Sequence, residues 1–200
     1  KLVRRIRRTV KKAQASAFLK ELEFDAELYR QIHEPDYRKW KKVEREAKES
    51  LYFFGGFGIA QPMPLLLSLM REFENKHITL SQLRRTLKAI EDYHFTYNVL
   101  ASKTSSGGMS MFYARRAREL MKASGKTARA RVIDELVSDL AAKRPADSEF
   151  DEAFADLWLS SKVTADRKVI RYVLRRIYQY HRPHAAVDFK KMTVEHLASQ

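Results

Sequence analysis

Two rows of cationic side chains have the type and spacing to engage phosphates. Arg115, Arg116, Arg118, Lys122, Lys126, Arg129 and Arg131 are opposed over that interval by Glu119 alone. Further on, Arg167, Arg171, Arg175 and Arg182 fall in one sector of a helical projection, while Ile170, Val173, Leu174 and Ile177 fall in another. Guanidinium groups at such intervals can each neutralise a phosphate, which gives sequence-independent, salt-sensitive affinity for DNA. A solvated face is the alternative, because residues 134–156 hold eight acidic side chains able to pair with these arginines inside the protein.

Other groups fail a closer test. Gly125, Lys126 and Thr127 match the end of a phosphate-binding loop, but Leu120 stands where that loop requires glycine. Gly125 is therefore expected to close one helix and Thr127 to cap the next. His94 lies on an apolar stripe and reads as a hydrogen-bonded core residue; His181 and His184, flanking Pro183, read as surface residues. The chain has no cysteine, which removes disulfides, thiolate chemistry and cysteine-ligated metals.

The elements that must carry these residues are helices. Apolar residues recur at three- and four-residue intervals through most of the 200-residue chain, 44% of which is hydrophobic, and alternating runs are few. Helices are expected up to Pro35 and then over residues 36–53, 63–73, 79–97, 109–123, 127–142, 148–159 and 164–182. Thr79 and Gln82 have capping-box spacing ahead of the stripe Leu83, Leu87, Ile90, His94 and Tyr97. The uncharged run 51–70 is broken by three glycines and two prolines into pieces too short to span a bilayer. No secretory signal pattern opens the chain, so no membrane partner and a cytoplasmic location are expected. The formal charge of +14 favours a polyanionic partner. The amphipathic pattern begins at Lys1 without an acidic first turn, which predicts a helix or linker continuing from an upstream domain.

Residues 187–189 and 192–197 read as extended, and Thr193, Val194, Glu195, His196 and Leu197 close the chain with Ala198, Ser199 and Gln200. By spacing alone His196 is an ordinary strand residue. The series resembles the threonine, hydrophobic, Glu-His, hydrophobic, Pro-Gln signature that opens the His-Me-finger nuclease domain of GmrSD-type, modification-dependent restriction proteins. Ser199 stands where that family usually has proline. Further segments resemble the family's helical region in the same order: residues 90–95, the glycine- and serine-rich stretch 102–108 with Met111, Phe112 and Tyr113, then residues 148–150 and 169–174.

The resemblance implies a helical region between an N-terminal ParB/sulfiredoxin-like nucleotidase domain and a C-terminal nuclease domain, in a protein that cuts modified DNA in antiphage defence. It makes His196 the counterpart of the general base and Glu195 a neighbour of the metal site. A divalent cation, magnesium or manganese, and a nucleoside triphosphate would serve the parent protein, with no cofactor in this segment. The expected fold is an all-α multi-helix bundle in two halves, 1–101 and 109–183, with 187–200 opening the nuclease domain. A free-standing basic helical nucleic-acid-binding or regulatory domain is the alternative function. On either reading Arg115, Arg118, Arg167, Arg171 and Arg175 are the candidate DNA contacts.

Overall fold

A computed structural model describes Ile6 and residues 10–100 and 107–182. Among these residues the chain is all-α, with no strand: α1 (Ala15–His33), α2 (Arg45–Gly56), α3 (Met63–Glu74), α4 (Leu80–His94), α5 (Gly107–Lys122), α6 (Gly125–Ala142), α7 (Asp147–Ala155) and α8 (Thr164–His181). A π-helical turn, Phe95–Leu100, follows α4. The extended segment expected at 187–197, residues 195 and 196 within it, and most of the basic N-terminal dozen lie outside the described residues.

The chain folds into two compact units. One is made of α1–α6, the other of the π-helical turn with α7 and α8. This division differs from the one expected at 102–108. The reason is packing: α5 lies against α3, and α6 against α4, so these two helices complete the bundle that the first four begin.

At the centre of that bundle, Leu65, Leu66, Leu69 and Met70 of α3 are fully buried, as are Leu83, Leu87 and Ile90 of α4. Each such side chain removed from water contributes about 1.5–3 kcal/mol, which makes this pair the energetic centre of the unit. Pro62 caps α3 and Pro64 occupies its first turn, where the missing amide costs no hydrogen bond. Tyr113 and Leu120 enter from α5, and Ile133, Leu136 and Leu140 from α6. Ser50 Oγ donates to Glu91 Oε2 at 2.6 Å, joining α2 to α4 through a buried polar contact.

The sequence places a second helix at 36–53, but α2 starts nine residues later. The intervening chain is organised by Arg38, whose guanidinium lies 4.6 Å from the Trp40 ring centroid and 5.8 Å from that of Phe73. It donates to Gln31 at 3.1 Å and pairs with Glu44 and Glu74. Trp40 Nε1 donates to the Pro35 carbonyl at 2.6 Å. These side-chain bonds hold Arg38 in an extended conformation that a continuous helix would forbid.

Candidate nucleic-acid interface

Helix α5 sorts its cations by face. Arg116 is turned inward and only 8% exposed. It donates to Glu119 at 2.8 Å and to Glu135 of α6 at 3.0 Å, and pairs with Asp139 of α6. Burial alone would lower its pKa, but hydrogen bonds to Asp139, Glu119 and Glu135 outweigh that cost and hold it above the ordinary arginine value. Arg129 of α6 pairs with the buried Glu72 of α3. Arg115 reaches Glu119 at 3.7 Å, and Arg131 reaches Glu135 at 3.8 Å.

Four of the seven cations in this row thus pair with carboxylates of the same unit: Arg116 and Arg131 with acids of the 134–156 stretch, Arg115 and Arg129 with Glu119 and Glu72, which lie outside it. The other three, Arg118, Lys122 and Lys126, are exposed and have no acidic partner among the described residues. Arg118 and Lys122 stand one helical turn apart on α5, about 6 Å along its axis. Lys126 follows in the first turn of α6. Gly125 has a left-handed φ of 78°, but it opens α6 rather than closing α5, which ends at Lys122. The cap of α6 is Ser124 rather than Thr127, because the helix begins two residues earlier than expected.

In the second unit, α8 presents exposed Arg167, Lys168 and Arg171, with Arg175 half-buried. Arg167 also donates to Thr164 Oγ1 at 3.1 Å. Asp166 is the sole acid of this helix, and its Oδ2 accepts the Ser160 amide at 2.9 Å. Ile170, Val173 and Leu174 on the apolar sector are half-buried. The Tyr172 ring lies 4.5 Å from that of Phe95 in the π-helical turn.

His94 is a core residue, 1% exposed, with Nε2 3.0 Å from the Tyr113 hydroxyl. Burial pushes the Tyr113 phenol well above its ordinary pKa, and Tyr93 adds to the shift. No group of three or more His, Asp or Glu side chains placed to hold a metal occurs among the described residues. None of their helices is long and apolar enough to cross a membrane.

Trp158, absent from the sequence-level candidates, is 92% exposed. The sequence places it inside a helix at 148–159, but α7 ends at Ala155 and leaves it in the link to α8. A tryptophan followed by Leu159, Ser160 and Ser161 was the available signal. No family model, curated protein or solved structure matches the chain.

Proposed function

We propose that this chain is the helical connector of a modification-dependent restriction nuclease and holds DNA by its phosphate backbone. The family part of this reading is supported by the ordered series of segments resembling the GmrSD-type helical region, ending on Glu195 and His196. The DNA part is carried by one observation: Arg118, Lys122 and Lys126 are exposed with no acidic partner among the described residues, while their four cationic neighbours pair with carboxylates. Cations left unneutralised beside so many available acids are suited to a polyanion from outside.

On this reading the connector is catalytically silent. The nucleotide, the divalent cation and the completed nuclease site belong to the flanking domains, where His196 would serve as general base with Glu195 beside the metal. The connector supplies position on the duplex without reading bases, since backbone contacts fix register and carry no sequence information.

Fluorescence anisotropy on a short labelled duplex at several salt concentrations tests the DNA contact. Log affinity should fall linearly with log salt, and changing Arg118, Lys122 and Lys126 together to Ala should flatten the slope by nearly three units, about 0.9 for each phosphate no longer neutralised. Changing Arg167, Arg171 and Arg175 together to Ala measures the second row in the same way. An unchanged slope in a folded Arg118/Lys122/Lys126 variant would remove the DNA contact from this face.

A further inference from the structure

The link between α7 and α8 carries a 92% exposed indole, Trp158, and its backbone is tied to the first turn of the cationic helix α8. Trp158 lies between half-buried Leu157 and Leu159, so its neighbours turn inward where it turns out. The Leu157 amide donates to Phe154 at 3.3 Å, and the Val163 amide to Ser160 at 3.1 Å. The Ser160 amide donates to Asp166 at 2.9 Å, which fixes the link to the first turn of α8 two residues from the indole. That bond also occupies the only carboxylate among residues 158–182, which carry seven Lys and Arg side chains.

We propose that Trp158 is a stacking platform for an unpaired nucleobase, with Lys162, Arg167 and Lys168 engaging the flanking phosphates. The proposal rests on the nucleic-acid part of the function argued above and names the form of nucleic acid this unit would take. An exposed indole offers a flat π face that any base can stack on, and adjacent cations track the backbone without reading sequence. In a duplex the base faces are already stacked on one another, so the indole gains nothing there unless a base leaves the helix. Charge sets the direction of the strand. The acidic side chains that precede the indole, Asp147, Glu149, Asp151, Glu152 and Asp156, repel phosphates, whereas Lys162, Arg167 and Lys168 follow it and are exposed. An apolar protein partner would gain from the indole but not from this clustering of cations.

The chain has two tryptophans, and Trp40 is the half-buried one, hydrogen-bonded to Pro35. Tryptophan emission of the wild type and of Trp158→Leu is followed while a twelve-nucleotide oligothymidylate, a duplex of equal length, or heparin is added at low salt. The oligothymidylate should quench the wild type, Trp158→Leu should lose that quenching and bind about tenfold more weakly, and Trp158→Phe should recover part of the affinity. Heparin, an anion without bases, should compete without quenching. Absence of quenching by oligothymidylate, equal quenching by heparin, or unchanged affinity in Trp158→Leu would each overturn the proposal. Quenching by the single strand together with failure of duplex binding would leave stacking standing and remove the backbone reading of α5. Duplex binding without quenching would do the reverse.

Discussion

Arg116 and Arg118 are two positions apart on α5 and have opposite fates, and helix geometry is the cause. Two residues on a helix are separated by about 200° of rotation, so when Arg116 faces α6 its neighbour must face water. Arg116 has a side chain 10% exposed among three carboxylates that are 39%, 50% and 40% exposed. Arg116→Met keeps the stem but leaves Glu119, Glu135 and Asp139 facing one another. We expect a loss of about 2 kcal/mol, below the roughly 3–5 kcal/mol of a fully buried pair because the carboxylates remain partly solvated. Urea unfolding should show that loss shrinking at high salt, where carboxylate repulsion is screened. Arg118→Met, on the exposed face, should stay within about 0.5 kcal/mol of the wild type. Equal losses would contradict the sorting of cations by face. The sequence offers Arg118 and not Arg116 as a candidate DNA contact, but it gives no partner for Arg116, because the carboxylates on α6 that hold it lie about twenty residues away.

The start of α4 was legible because its chemistry is local. Thr79 and Gln82 form the capping box their spacing implies: the Thr79 amide donates to Gln82 Oε1 at 2.8 Å, and the Gln82 amide to Thr79 Oγ1 at 3.2 Å. The end of α3 carried no such sign. There the Lys76 amide donates to the Phe73 carbonyl and the His77 amide to that of Glu72, both at 2.9 Å, in a Schellman closure. The residue at its left-handed position is Lys76, with φ of 59°, where glycine is usual. The hydrophobic clasp common in this motif is replaced by His77 Nδ1 lying 2.9 Å from Glu72 Oε2. Lys76 is exposed, so Lys76→Gly should relieve the left-handed strain without removing a core contact. A gain of about 1 kcal/mol is expected, seen as a rise in Tm of several degrees. An unchanged or lower Tm would mean that the extra freedom of glycine in the unfolded chain cancels the relief.

At the scale of the molecule, the sequence yields the helices but not their grouping. Hydrophobic period marks a buried face without naming what it is buried against, so α5 and α6 read as part of a second half although their stripes close the first unit. The consequence is an uneven distribution of stability. Helices α3 and α4 bury side chains along their whole length, whereas α7 and α8 contain no buried residue at all. Opening α7 or α8 therefore exposes little new apolar surface, and their amides should exchange with solvent through local openings well below the global unfolding free energy. Native-state hydrogen exchange should find the central amides of α8 at least about a hundredfold less protected than those of α3 and α4. If the α8 surface takes a nucleic-acid strand, oligothymidylate at a hundred times its Kd should slow exchange in α8 by about a hundredfold, equivalent to about 2.7 kcal/mol, and leave α3 and α4 unaffected. Protection of α8 equal to that of α3 without ligand would show that burial does not set local stability here. Protection unchanged by ligand would place the strand elsewhere on the protein.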